Sequence, residues 1–229
     1  MAVELTFHGH ASFTLRGGGA TLLLDPFFTD NPLADVSADS VEADYILVSH
    51  GHGDHFGDTV AIARRTGATV ISNFEIATYC ENQGLKAHAL HLGGGWEFPF
   101  GRVKLTIAHH GSTLPDGSPG GNPAGFLLEI EGKRIYFAGD TGLFYDMKLI
   151  GEEKPIDVAL LPIGDNFTMG PDDALRAVGL LSPRLVIPMH YGTWPLVEQD
   201  PHAFAKRVEE MEVRCSVLPP GRKLTLQAA

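Results

Sequence analysis

Residues 49–58 read Ser-His-Gly-His-Gly-Asp-His-Phe-Gly-Asp, and this stretch decides the fold that we predict for the chain. Neutral imidazole and carboxylate oxygen are common ligands of zinc, manganese and iron. A surface turn rich in histidine is the alternative interpretation, but so many candidate ligands in so short a run favour a metal site. The candidates, which fall within six positions, are His50, His52, Asp54 and His55.

The residues around this cluster predict where it lies in the fold. An apolar run of strand length precedes it at 44–48, and a helix is predicted after it. The cluster is therefore expected in the loop at the carboxyl edge of a strand, where open α/β sheets bind ligands. His50 and His52 are two positions apart, so on an extended backbone both imidazoles project to one side. Gly51 and Gly53 are expected to let the backbone turn sharply beside a ligand.

The composition is that of an ordinary globular protein. The chain has 229 residues, of which 44% are hydrophobic and 20% charged, and its formal net charge is −11. This acidic balance disfavours binding along nucleic-acid backbones, which needs a basic surface. Cys80 and Cys215 form no Cys-x-x-Cys motif, which predicts two buried, reduced thiols. The sequence shows no signal peptide and no apolar run of membrane-spanning length, so we expect a soluble, cytoplasmic protein.

Hydrophobic periodicity and turn residues predict a mixed α/β chain. Each half combines a hairpin-rich part with strand–helix alternation, which suggests two facing sheets with helices outside, a four-layer αββα sandwich. No linker divides residues 1–229, so we expect one domain, with a polar loop at 28–44. The predicted strands are 3–7, 11–16, 21–24, 44–48, 69–72, 86–90, 96–100, 103–108, 124–131, 134–138, 158–161, 185–188, 214–218 and 223–226. The predicted helices are 59–66, 74–83, 144–151, 171–181 and 202–211.

Three further candidate ligands stand where predicted strands end. His110, Asp140 and His190 each follow a strand within a few residues, and each is flanked by glycine or another small residue. Strands that end at the same edge of a sheet can bring such residues together into one site, although they are far apart in the sequence.

With these residues in view, the chain resembles the metallo-β-lactamase superfamily over essentially its whole length. Residues 50–55 match the family's central H-x-H-x-D-H motif, and the three later candidates stand in the family's chain order. More narrowly, the chain is similar to a bacterial and archaeal branch of metal-dependent hydrolases related to the lactonases that act on ascorbate 6-phosphate. The stretches that carry this narrower resemblance are 8–11, 24–27, 109–112, 138–141 and 162–171.

The resemblance implies a site for two divalent metal ions. Zn²⁺ fits a set of histidines and carboxylates best, and Mn²⁺, Fe²⁺ and Ni²⁺ are the alternatives. The implied ligands are His50, His52 and His110 for one ion, Asp54, His55 and His190 for the other, and Asp140 as a bridge between them.

Two assignments beside these ligands have an alternative, the choice between His109 and His110 and the role of Asp25. The family places a glycine just after the third histidine ligand, which favours His110, and strand alternation then points His109 away. The resemblance also makes Asp25 an acceptor for a ligand imidazole N–H, which would fix that ring's tautomer. A simple Asp-Pro turn is the alternative for Asp25.

Further candidates concern substrate or the site's support. His10 resembles a residue that lines the pocket mouth in this branch, and a hairpin-turn histidine is the alternative. Asp165 and Asn166 follow a buried strand at the same edge, where they would contact substrate or brace the loop before the next helix. The remaining histidines are assigned to structural or surface roles, and they are His8, His88, His91 and His202.

The implied activity is hydrolysis by a metal-bridged hydroxide. Asp54 and Asp140 would position that hydroxide or pass on a proton. We expect cleavage of an ester-type bond, a lactone or a phosphodiester, in a small molecule. The sequence is compatible with a homo-oligomer. The alternative is a non-hydrolytic protein of the same fold, with redox iron or a ligand-sensing role. Redox relatives carry a glutamate in the cluster and a flavin-binding partner domain, whereas position 54 here is aspartate.

Overall fold

The computed structural model describes residues 2–227, so Met1, Ala228 and Ala229 of the predicted 1–229 domain lie outside the described residues. The strands in chain order are β1 (Val3–Phe7), β2 (Phe13–Gly17), β3 (Ala20–Leu24), β4 (Tyr45–Leu47), β5 (Thr69–Asn73), β6 (Lys86–Leu90), β7 (Gly95–Phe98), β8 (Gly101–Ile107), β9 (Ala124–Ile130), β10 (Lys133–Phe137), β11 (Val158–Pro162), β12 (Leu185–Met189), β13 (Arg214–Cys215) and β14 (Lys223–Leu226). The α-helices are α1 (Gly53–Phe56), α2 (Thr59–Thr66), α3 (Phe74–Asn82), α4 (Met147–Glu153), α5 (Pro171–Leu181) and α6 (Pro201–Glu209), and short 3₁₀ helices lie at Ala38–Ser40 and Pro195–Val197.

The described strands form two mixed seven-stranded sheets. One has the order β14-β1-β2-β3-β4-β5-β6 and the other the order β13-β12-β11-β10-β9-β8-β7. Each sheet is antiparallel in its hairpin part and parallel in its strand–helix part. This arrangement, with helices on the outer faces, confirms the predicted four-layer αββα sandwich.

Apolar side chains from both sheets meet in one core. Phe13 of β2 contacts Phe137 of β10 across the interface, with ring centroids 6.2 Å apart, and both side chains are fully buried. The outer helices bury one apolar stripe each, as amphipathic helices do. In α5 that stripe is Ala174, Ala177, Val178 and Leu181.

The parallel parts of the sheets explain how distant residues come together. β3 and β4 are parallel, and so are β10, β11 and β12, so within each sheet these strands end at the same edge. β8 runs in the direction of β10, because both are antiparallel to β9. The candidate ligands all follow strands of this set, so the sheets deliver them to the edges where parallel strands end.

Several predicted boundaries are wrong. β13 ends at Cys215, not at 218, since its pairing with β12 is limited to Leu185 with Arg214 and Val186 with Cys215. β7 covers Gly95–Phe98 instead of 96–100, since Pro99 lacks the N–H needed for pairing. α4 covers Met147–Glu153 instead of 144–151, and Phe144 is instead buried against the body of the protein.

Two other expectations change in detail. The polar stretch 28–44 is not entirely loop, because it contains the 3₁₀ helix at Ala38–Ser40. Both cysteines are unpaired, as expected, but only Cys80 is buried, whereas Cys215 is half-buried. No helix within residues 2–227 is long and apolar enough to cross a membrane.

Candidate metal centre

The opening cluster lies partly on a helix. His50 and His52 follow β4 in irregular backbone, but Asp54 and His55 lie on the one-turn helix α1, not on a loop as predicted. Only one of the two glycines is required by its surroundings. A Cβ at Gly51 would lie 2.9 Å from the Thr113 carbonyl oxygen, whereas a Cβ at Gly53 would have open space.

The first ligand group consists of His50, His52 and His110. Nε2 of His50 lies 3.0 Å from Nδ1 of His52, and the ring of His110 lies 5.0 Å from each of the other two rings. One nitrogen from each ring lies within 4.8 Å of the others, so the three could ligate one ion.

The second ligand group consists of Asp54, His55 and His190. Oδ2 of Asp54 lies 3.8 Å from Nε2 of His55 and 3.8 Å from Nε2 of His190. These three atoms, together with a nitrogen of His10, also fall within 4.8 Å of one another. The carboxylate and the imidazoles therefore converge on a second position.

Asp140 reaches both ligand groups. Its Oδ1 lies 3.2 Å from Nε2 of His55, while its Oδ2 lies 3.0 Å from Nε2 of His190 and 3.6 Å from Nε2 of His110. The two oxygens of this one carboxylate therefore lie near ligands of both groups.

The polar atoms at this junction fit a bound cation. Nε2 of His55, Nε2 of His190 and Oδ1 of Asp140 are buried and make no aligned hydrogen bond within residues 2–227. Leaving a buried polar atom unsatisfied costs about 1–3 kcal/mol, so proteins rarely keep several together without a partner. Imidazole nitrogens and carboxylate oxygens are the donors that a divalent transition metal takes.

The charges of the junction act on its titrating groups. Burial lowers the pKa of His50 well below its ordinary value, and the nearby His55 lowers it further. Burial also acts to lower the pKa of His55, but the carboxylates of Asp140 and Asp25 outweigh it and raise that pKa. Burial acts to raise the pKa of Asp140, yet the neighbouring His190 and His55 hold it well below its ordinary value. The ionised carboxylate is thus the favoured form at the centre of the site.

Asp25 holds ligands of both groups. Its Oδ2 accepts a hydrogen bond from Nδ1 of His55 at 2.7 Å, a contact of the kind that the family resemblance implied for Asp25. Its two oxygens also accept from Ser49, through the backbone N–H at 2.7 Å and the hydroxyl at 2.5 Å. The same hydroxyl lies 3.0 Å from Nδ1 of His50 and can accept from it. Both rings are thereby turned with Nε2 toward the other ligands.

The structure places His10 differently from the predicted pocket mouth. The side chain has no exposed surface, and its ring lies only 4.0 Å from the ring of His190. Its Nε2 lies 3.1 Å from Oδ2 of Asp54, and its Nδ1 lies 2.7 Å from the hydroxyl of Thr193. Burial and the nearby His190 lower the pKa of His10 to about 4.

His109 and His110 point to different surroundings. His110 joins the first ligand group, whereas His109 is exposed and its ring packs against Phe144 at 5.2 Å. Asp165 and Asn166 are both exposed, and both adopt left-handed backbone conformations, with φ of 60° and 47°. The Asp165 backbone bonds to that of Met169, so this segment braces the loop before α5. A contact between either side chain and a substrate stays a prediction.

The other histidines have local partners. His8 is buried and bonded to Asp35 and Thr14, each at 2.7 Å. His91 is exposed and stacks on Phe74, and His88 packs against Trp96. His202 is exposed in the first turn of α6.

Two supporting residues escaped the sequence analysis. Ser49 stands directly before the first ligand, and a polar residue at that strand end was a signal that could have been read. Thr193 carries no such signal, since its partner His10 lies 183 positions away.

Comparisons with known proteins identify the family of this chain. A family model described as the beta-lactamase superfamily domain matches residues 4–190. The chain belongs to the metallo-β-lactamase superfamily. A UPF0173 metal-dependent hydrolase from Heliobacterium modesticaldum is 54% identical, over 98% of this chain and 98% of its own length. One from Thermus thermophilus is 51% identical, over 98% of this chain and 99% of its own length.

Within this superfamily, the chain is a metal-dependent hydrolase of the UPF0173 family, which confirms the branch that the sequence predicted. The solved structure of Igni18, a metallo hydrolase from Ignicoccus hospitalis, is 37% identical with a TM-score of 0.92 and covers 99% of both chains. The closer relationship to lactonases of ascorbate 6-phosphate stays a prediction.

Proposed function

We propose that this superfamily member hydrolyses an ester-type bond, a lactone or a phosphodiester, in a small molecule, with two divalent ions held at the edge of the sheets. The observation that carries the proposal is the position of Asp140, whose two oxygens lie 3.0–3.6 Å from ligands of both groups. The chemistry that such ions supply when bound is the activation of water and the polarisation of the bond to be cleaved.

The carboxylates of the site have distinct tasks in this proposal. Asp140 is buried and joins the groups, so it would hold both ions in place. Asp54 has about a quarter of its side chain exposed and is therefore the carboxylate that water and substrate can reach. Burial acts to raise the pKa of Asp54, but the hydrogen bond from His10 and the nearby rings of His55 and His10 together outweigh it and lower the pKa, which keeps Asp54 ionised. An ionised, reachable carboxylate can orient a water molecule by accepting a hydrogen bond from it.

The distribution of charge supports a small substrate. Lys133 begins β10 and Arg184 precedes β12, so these cations lie at the edge opposite Asp140 and His190. The net charge of −11 adds a general repulsion of polyanions. These cations are therefore not placed to bind the phosphates of a long nucleic acid that enters the site.

Aromatic rings beside the second ligand group support an apolar portion in the substrate. The ring of Trp194 lies 4.9 Å from that of His10 and 5.9 Å from that of Phe27. Trp194 is half-buried, so part of its surface is available for contact. An apolar acyl or aryl group would gain from packing there.

The test is turnover of a chromogenic panel that contains an aryl lactone, an aryl phosphodiester and an aryl amide, with zinc and with manganese. We expect turnover of the lactone or the phosphodiester, and a loss of about 10²–10⁴-fold in Asp54→Ala. Asp39→Ala is the matched control, because Asp39 is an exposed aspartate of the 3₁₀ helix at Ala38–Ser40. Equal activity in Asp54→Ala and in the wild type would contradict the mechanism, and a coloured, oxygen-responsive iron protein would favour the redox alternative.

A further inference from the structure

His10 connects two ligands that come from different sheets. It lies in the turn between β1 and β2, and its backbone carbonyl accepts a 2.7 Å hydrogen bond from the N–H of His190. Both residues have a φ of 56°, in the left-handed region that most side chains avoid. Strained backbone of this kind persists only where the surrounding structure determines it, and it clusters at functional sites.

The His10 side chain reaches a different ligand. An ionised carboxylate only accepts hydrogen bonds, so the 3.1 Å contact with Asp54 requires a proton on Nε2 of His10. Nδ1 of a neutral ring then accepts from the Thr193 hydroxyl, 2.7 Å away. One tautomer therefore satisfies both nitrogens, and Thr193 selects the tautomer that donates to Asp54.

Packing leaves the His10 ring little freedom. It is fully buried, with ring centroids 4.0 Å from His190, 4.9 Å from Trp194 and 5.6 Å from Phe27. A ring fixed on all sides can hold the Asp54 carboxylate in one orientation without an ion to help. No contact of this kind joins His10 to the first ligand group within the described residues.

We infer that His10 is a positioning residue, which orients Asp54 through its ring and His190 through its backbone, and that its loss selectively weakens binding of the second ion. The inference rests on the two-ion centre of the proposed function. Partners outside a metal's ligand set commonly change affinity by about 10–100-fold when they are removed. His10 differs from Asp25 in this respect, since Asp25 acts on both groups.

The experiment is a calorimetric titration of the metal-free, full-length protein with Zn²⁺. In His10→Ala we expect one of the two binding steps to be unchanged and the other to weaken by about 10–100-fold. His10→Gln should recover part of the loss, because its amide N–H can donate to Asp54, and Thr193→Val should show a smaller loss of the same kind. His8→Ala is the matched control, a buried histidine of the same hairpin that bonds Asp35 and Thr14 instead of ligands.

Two further results distinguish a positioning role of His10 from other roles. At saturating Co²⁺ the visible absorption bands of His10→Ala should match those of the wild type, whereas altered bands would mean that His10 ligates the metal and would overturn the inference. Two unchanged steps, or equal weakening of both steps, in a variant with a native circular dichroism spectrum would also overturn it. If the wild type itself binds fewer than two ions, the proposed two-ion centre fails. If His10→Ala binds two ions with the affinities of the wild type, only the inference about His10 fails.

Discussion

Nδ1 of His55 lies 2.7 Å from Oδ2 of Asp25, and neither side chain is exposed. This contact turns Nε2 of His55 toward Asp140, 3.2 Å away. Asp25 also receives the hydroxyl of Ser49, which in turn contacts His50, so one buried carboxylate orients a ligand of each group. His50 and His55 are thus oriented by protein contacts alone.

Asp25→Asn should weaken the binding of both ions and destabilise the fold. The amide keeps the shape but turns an N–H donor toward the Ser49 or His55 donors, so we expect a loss of about 1–3 kcal/mol in the free energy of unfolding of the metal-free protein. Affinity for each ion should fall by about 10–100-fold. Urea denaturation and metal titration measure the two effects.

Asp58→Asn is the matched control for that change. Asp58 accepts from the backbone of Phe28 and Thr29 at 2.8 and 2.9 Å and contacts none of the proposed ligands in the described residues. It should lose stability but keep normal metal affinity. Normal metal affinity in Asp25→Asn as well would show that the carboxylate does not orient the ligands.

Divalent metal should stabilise the folded chain. The buried atoms of His55, His190 and Asp140 that lack aligned hydrogen bonds gain a partner when an ion binds. At free Zn²⁺ about 100 times its dissociation constant, one site adds about 2.7 kcal/mol to the free energy of unfolding. Urea midpoints with Zn²⁺ and with a chelator measure this gain, and identical midpoints would count against a site at this junction.

Gly139→Ala should destabilise the protein more than Gly132→Ala. Both glycines have positive φ, 61° and 73°, so both substitutions carry the backbone cost of about 1–2 kcal/mol. Only at Gly139 would the new Cβ also press on the Ala124 carbonyl oxygen, at 2.8 Å, and on the Cβ of Ser49, at 3.1 Å. At Gly132 it would have open space.

The comparison of urea denaturation between these two variants isolates the steric effect. Because Gly139 precedes Asp140 and packs on Ser49, its variant should also bind metal more weakly. Equal losses of stability in both variants would mean that the chain relaxes around the extra carbon.

The sequence predicted those parts of the site that depend on single strands. Asp140 follows β10 after two intervening residues and His190 directly follows β12, and the direction of parallel strands then places them at one edge. The hairpin-rich part and the strand–helix alternation of each half suggested the αββα layering, and the family resemblance implied it. Local pattern is sufficient here because each ligand is tied to the end of one readable element.

Features that depend on two distant segments were not readable. The contact of His10 with Thr193 and His190 forms only when the hairpin of one sheet meets the end of β12 in the other. Helix α1 has four residues, too few to show a helical period, so its start at Gly53 was missed.

The most direct test of the two-ion centre is the number of metal ions bound per chain, measured by elemental analysis after loading with a small excess of Zn²⁺ and dialysis to remove free metal. The wild type should hold two ions, His52→Ala and Asp54→Ala should each hold one, and Asp140→Ala should hold neither tightly. Two ions retained in all three variants, or fewer than two in the wild type, would contradict a centre in which Asp140 joins two ligand groups.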